Sequence, residues 1–106
     1  MITLISTYQR LGGCFTVDKQ FYFYVLNCAD QTFYAGYTTD LSRRLSEHNQ
    51  GTGAKYTRLD KRRPARMIHA EVFSSKSAAM KAEYAFKQLS RVQKESYLST
   101  HKSCIT

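Results

Sequence analysis

Two aromatic runs separated by a short polar break constrain this chain more than any other feature. Phe21-Tyr22-Phe23-Tyr24-Val25-Leu26 is aromatic or aliphatic throughout, the composition of a strand that is covered on both faces. Thr32-Phe33-Tyr34-Ala35-Gly36-Tyr37 follows after only Asn27 to Gln31, and so short a connection can join two strands only as an antiparallel hairpin. Loop length then decides which side chains share a face. A three-residue loop centred on Asp30 pairs residues whose numbers sum to an even value, which puts Tyr24 and Tyr34 on one face; a two-residue loop would put them on opposite faces. The three-residue loop is the expectation.

Beyond the hairpin, Asp40 is placed to cap a helix from Leu41 to about Gln50, and Gly51 to end it. Leu41 and Leu45 form its apolar stripe. Arg44 and His48 lie one turn apart on the same side, with Arg43 rotated by ~100° from Arg44. A long basic loop containing the only proline, Pro64, leads to a third strand over Met67–Phe73, whose alternation is less clean. A second helix from Ser74 or Ser75 to Leu89 carries an apolar stripe through Ala79, Ala82, Phe86 and Leu89, with Glu83 inside it. Ser90 and Gln93 have the spacing of a capping box opening a last helix to about Ser99. At 106 residues the chain has room for one core. The expected architecture is α+β, a three-stranded antiparallel sheet flanked by helices in the order β-β-α-β-α-α, over residues 21–99. Residues 1–20 form an N-terminal arm and 100–106 a C-terminal tail.

Charge narrows the range of partners. Sixteen Lys and Arg against eight Asp and Glu leave a net charge of +8, an excess that points to a polyanion, nucleic acid first and an anionic membrane surface second. Eight basic residues and two acidic ones fall between Arg43 and Arg66, so this segment carries +6 of the total. Arg43, Lys55, Arg58, Arg62 and Arg63 are expected to meet phosphates, and Tyr56 to stack on a base. DNA is the expected partner, with RNA as the alternative. A membrane is disfavoured, because the charge sits in a glycine-containing loop and not on an amphipathic helix. No apolar run approaches the ~18 residues of a membrane span and Met1 to Arg10 lacks a secretory pattern, so the expected location is the cytoplasm. Cys14, Cys28 and Cys104 include no C-x-x-C pair, which excludes a zinc ribbon. Glu83, a carboxylate on an apolar helix face, must pair with a cation side chain, accept hydrogen bonds or bind a metal ion; the pattern leaves all three open.

Taken in order, Tyr22-Phe23-Tyr24, then Tyr34-Ala35-Gly36, then Arg43-Arg44 and His48-Asn49, the run Gly53-Ala54-Lys55-Tyr56-Thr57-Arg58 and finally Glu83 resemble the GIY-YIG nuclease domain, most closely its small stand-alone bacterial members. The resemblance covers about Phe21 to Leu98. It implies a metal-dependent DNA endonuclease acting in repair or recombination, with Tyr24, Tyr34, Arg44 and His48 as catalytic residues and Glu83 as ligand of one divalent cation, Mg²⁺ or Mn²⁺. Gly36 corresponds to the motif's structural glycine. The water-activating base is Tyr34 or Tyr24, helped by nearby cations or by His48. Tyr22 and Phe23 stand where the motif has Gly and Ile, and no asparagine follows Glu83. The alternative is a nucleic-acid-binding module that keeps the fold without cleaving.

Overall fold

The structure is a computed structural model that describes residues 20–105; the expectations for the N-terminal arm and for Cys14 fall outside the described residues. Three strands, β1 (Phe21–Asn27), β2 (Phe33–Thr38) and β3 (Arg66–Phe73), and three helices, α1 (Leu41–Asn49), α2 (Lys76–Lys87) and α3 (Arg91–Thr100), follow the expected order β-β-α-β-α-α. The sheet is antiparallel with strand order β2-β1-β3. The aromatic run is therefore the central strand, which explains its lack of alternation. Phe23, Tyr24, Val25 and Leu26 are all completely buried, two against each layer.

On one face Phe23, Val25, Ala35 and Phe86 pack with Ile68, Ala82, Leu89, Tyr97 and Leu98, so α2 and α3 cover this side. On the other, Tyr24, Leu26, Cys28, Ala65 and Ala70 pack with Leu41, Leu45, Tyr34, Tyr56 and Met67, so α1 and the basic loop cover it. The hairpin register pairs Tyr24 with Gly36 and Leu26 with Tyr34. Cys28 N donates to Thr32 O and Gln31 N donates to Cys28 O, at 2.8 Å each, enclosing Ala29, Asp30 and Gln31. Gln31 takes the left-handed backbone, φ 68°, that a type I turn followed by a bulge residue requires. Tyr24 and Tyr34 thus face the same side. In β3 a register shift opposite Val25 and Leu26 leaves the neighbours Ile68 and His69 both on the α2–α3 side and returns Met67 to the α1 side, which is why the strand does not alternate cleanly.

Local signals set the helix ends. Asp40 accepts from Arg43 N at 3.0 Å at the start of α1, and Gly51, φ +82°, follows its C-cap. Ser75 caps α2, and Ser90 with Gln93 closes the capping box of α3. Beyond α3 the chain returns to the outer edge of β3: Cys104 N donates to Ala70 O at 2.8 Å, and Ser103 Oγ accepts from Ala70 N at 3.1 Å. Among the described residues no helix is long and apolar enough to cross a membrane.

Candidate active site

The α1 face of the sheet carries a chain of buried polar groups. Tyr24, at the centre of β1, and His48, on the inner side of α1, are both 0% exposed, and Tyr24 Oη lies 2.8 Å from His48 Nε2. Arg44 Nε donates to the same phenol oxygen at 3.2 Å, and Arg44 Nη1 donates to Glu47 Oε1 at 3.1 Å. On the far side of the ring, His48 Nδ1 is 2.7 Å from Thr57 Oγ1. The Thr57 hydroxyl donates to Ala54 O at 3.3 Å, so its oxygen accepts from His48 Nδ1–H. Nε2 is left as a lone pair for the Tyr24 proton.

Burial sets the protonation of both groups. Desolvation, with the Arg44 charge acting in the same direction, pulls His48 down to about 4, so the imidazole is neutral at neutral pH. Desolvation pushes Tyr24 up to about 12 against the opposing pull of Arg44, so its phenol stays protonated. Two glycines make the arrangement possible. A Cβ on Gly36 would overlap the Tyr24 phenol, and one on Gly53 would come within 2.8 Å of His48 Nδ1.

Tyr34 stands beside this chain and differs from Tyr24 in one respect. It is half-buried, its ring lies edge-on 5.2 Å from the His48 ring, and its hydroxyl has no hydrogen-bond partner among the described residues. Lys87 Nζ lies 5.5 Å from the centre of the Tyr34 ring and 2.8 Å from Glu83 Oε2. The Glu83 carboxylate is therefore no farther from that ring than the sum of those two distances. Lys87 thus links Glu83 on α2 to Tyr34, a side chain that packs with the α1 layer. The sequence pattern left three partners open for Glu83; the structure supplies the cation side chain, Lys87.

Glu83 also suits a metal ion. Its side chain is 20% exposed, and only one of its oxygens meets Lys87. A single accessible carboxylate, with no group of three or more His, Cys, Asp or Glu side chains gathered among the described residues, fits a hard cation that keeps most of its water, as Mg²⁺ and Mn²⁺ do. Lys87 would have to yield its place beside the carboxylate.

The basic segment divides into two groups. Arg43, Lys55, Arg58, Lys61 and Arg66 are exposed, Arg43 with a surface ion pair to Glu47 at 3.5 Å. Arg62 and Arg63 are not free in the same sense. Arg62 pairs with Asp30 at 3.2 Å, donates to Tyr56 O at 3.2 Å and lies 3.7 Å over the Tyr56 ring. Arg63 donates to Arg58 O and Asp60 and lies against Gly51. The Tyr56 ring stacks on Tyr34, with centres 5.6 Å apart, so it is engaged within the protein where the sequence suggested a base. Lys87 has no place in the sequence reading, although its spacing one turn after Glu83 is a signal for it. Gly53 and Thr57 enter there only as members of the run Gly53-Ala54-Lys55-Tyr56-Thr57-Arg58, and their separate importance lies in which atoms they meet.

A three-stranded antiparallel sheet that carries Tyr24 and Tyr34, with Arg44 and His48 on α1 and Glu83 on α2, defines a class that the family comparison identifies. The model of the GIY-YIG catalytic domain matches residues 20–96, and the chain belongs to that family. Among its relatives are UPF0213 proteins of Enterococcus faecalis, 66% identical over 77% of this chain and 93% of that protein, and of Lactiplantibacillus plantarum, 59% identical over 81% and 85%. Two solution NMR structures share the fold. One, of an E. faecalis protein, has a TM-score of 0.55 at 66% identity over 77% of this chain and 85% of that one; the other, of a UPF0213 protein from Bacillus halodurans, has a TM-score of 0.50 at 45% identity over 76% and 83%.

Proposed function

We propose that this protein is a metal-dependent endonuclease that hydrolyses a phosphodiester bond of DNA where Tyr34, Arg44 and Glu83 approach one another. The observation that carries the reading is the contrast between the two tyrosines. Tyr24 is sealed, protonated and bonded on both sides, whereas Tyr34 presents a free hydroxyl between the Glu83–Lys87 pair and the Arg44–Tyr24–His48 chain.

Hydrolysis needs a water held in line with phosphorus, a destination for its proton and positive charge around the phosphoryl oxygens. Tyr34 is the phenol that can meet that water. Its oxygen accepts the proton of the water as its own hydroxyl proton passes to solvent, so the phenol ends neutral as it began, and Lys87 beside the ring adds positive charge near the phosphoryl group. The water oxygen forms the new bond to phosphorus as the bond to the leaving oxygen breaks, and that oxygen is protonated by solvent. Tyr24 and His48 act from within, holding the Arg44 fork toward the phosphate. A Mg²⁺ or Mn²⁺ held by Glu83 would supply charge to offset that developing on the phosphoryl group. Arg43, Lys55, Arg58, Lys61 and Arg66 supply exposed charge for the nucleic-acid backbone.

The Glu83–Lys87 contact favours a second reading, a binding module in which that carboxylate is neutralised without metal. One experiment separates the two. Purified protein is incubated with linear, flap and four-way DNA, and with RNA of matching sequence, in Mg²⁺, Mn²⁺ or EDTA, beside Glu83→Gln and Arg44→Ala. Metal-dependent cleavage of DNA by the wild type alone supports the nuclease. Glu83→Gln should bind DNA undiminished, and Arg44→Ala should bind it less well. Wild-type cleavage no greater than that of Glu83→Gln on every substrate leaves the binding module.

A further inference from the structure

Apart from Lys87, the outward side of α2 has no role in the site described above, yet it adjoins that site. Lys76, Met80, Tyr84 and Lys87 recur at helical spacing along one side of this helix, a row about 16 Å long. Ser77 and Lys81 flank it and complete a shallow surface with Lys76, Met80 and Tyr84. Tyr84 is 68% exposed and Met80 46%, and the Tyr84 hydroxyl has no partner among the described residues. At one end of the row Lys76 lies 5.8 Å from the Tyr37 ring, and at the other Lys87 lies beside Tyr34 and Glu83. The helix carries three lysines and a single carboxylate, Glu83, which Lys87 already neutralises.

We propose that this side of α2 is a track for single-stranded DNA leading to the scissile bond. Two features select an unpaired strand. Lysines attract any polyanion, duplex or single strand, and do not distinguish them. An open aromatic ring with an adjacent methionine offers a stacking surface that an unpaired base can use and a paired one cannot, because the faces of a paired base are already covered by its neighbours. The row ends at Lys87, so a strand lying along it arrives at Tyr34. The inference rests on the nuclease reading for its significance but not for its test: it predicts a substrate with an unpaired segment next to the bond that is cut.

The test measures binding in EDTA, where cleavage plays no part, by fluorescence anisotropy with a labelled oligothymidine of about 15 nucleotides, a length within the range that small binding surfaces occupy, and a duplex of equal length. Tyr84→Ala should weaken binding to the single strand by at least about fivefold, the lower end of what one stacked base contributes, and leave duplex binding unchanged. Tyr84→Phe should retain wild-type affinity. Lys76→Gln with Lys81→Gln should lower the salt slope on the single strand by roughly 0.7 per lysine. Because these side chains are exposed, thermal midpoints should not move.

Unaltered single-strand affinity in Tyr84→Ala, equal weakening on single strand and duplex, or a wild type that binds no single strand overturns the proposal. So does a change in oligomeric state in Tyr84→Ala, which would make this face a contact between copies of the chain. If the wild type cleaves DNA while Tyr84→Ala binds normally, the track is refuted and the nuclease stands. If binding behaves as expected without cleavage, the reverse holds.

Discussion

Thr57 holds the imidazole of His48 in one tautomer, and removing its oxygen tests the whole buried chain. Thr57→Val keeps the volume and the branching but deletes the acceptor 2.7 Å from His48 Nδ1, inside a cluster where Tyr24, His48 and Thr57 are all 0% exposed. A buried donor left unpaired costs about 1–3 kcal/mol, and the loss of the 3.3 Å bond to Ala54 O adds at most about 1 kcal/mol. For a domain of this size that corresponds to a midpoint lowered by roughly 5–20 °C. Thr57→Ser, which restores the oxygen, should recover most of it. The ring can avoid the orphaned proton only by moving it to Nε2. His48 and Arg44 would then both donate to the Tyr24 oxygen, and the phenol proton would lose its acceptor.

Nitrogen NMR of the labelled imidazole reads this directly. The wild type should carry its proton on Nδ1 at neutral pH and stay neutral down to about pH 4. The sign of the stability effect follows from that depression. Above the unfolded value near 6.5 both states hold a neutral ring; as pH falls below it only the unfolded chain takes up a proton, so the folded state loses stability until the folded value is reached. The gap between about 6.5 and about 4 is worth at most about 3 kcal/mol. A Thr57→Val variant with unchanged midpoint and unchanged ring signals, or a wild-type ring that titrates near 6.5, refutes the argument.

Gly36→Ala forces a methyl group into the Tyr24 phenol; because His48 and Arg44 both hold that phenol, denaturation should show a loss of about 1–3 kcal/mol, accompanied by loss of any nuclease activity. Glu83→Gln removes only a partly exposed ion pair with Lys87, so stability should fall by less than about 1 kcal/mol, while Mn²⁺ binding followed by paramagnetic relaxation should disappear. A larger stability loss with Mn²⁺ binding intact would make Glu83 a structural residue. Arg62→Ala breaks the Asp30 pair and the contact over Tyr56 and should lower the thermal midpoint with little effect on the salt dependence of DNA binding. Lys55→Gln with Lys61→Gln should do the opposite, reducing the slope on duplex DNA by roughly 0.9 per residue; equal effects of the two changes on binding would show that the exposed and engaged cations do not differ in role.

The architecture was readable from the chain because its signals are local. The β1 run could not alternate if it was to be central, and Asp40, Ser75 and Ser90 each lie within a few residues of the helix ends they cap. The shared face of Tyr24 and Tyr34 also followed from one short loop, given its length. Sequence placed Arg44 and His48 one turn apart on a helix, which is a statement about periodicity and needs no tertiary contact.

Sequence by itself therefore determined the element order and the residue types available for chemistry, since each depends on neighbours a few positions away, and it narrowed the hairpin register to two loop lengths between which the folded turn decides. Only the tertiary structure decided how those residues are used. Burial and hydrogen bonding separate Tyr24 from Tyr34, two residues indistinguishable by composition, because desolvation depends on what packs over each ring. Thr57 matters because the loop returns its hydroxyl to His48, and Arg62 is engaged because Asp30 and Tyr56 reach it from different parts of the chain. Charge along a sequence counts all eight basic residues between Arg43 and Arg66 alike; folding divides them into those that bind the protein's own carboxylates, carbonyls and rings and those left facing water, since a cation's partner is set by distance in space.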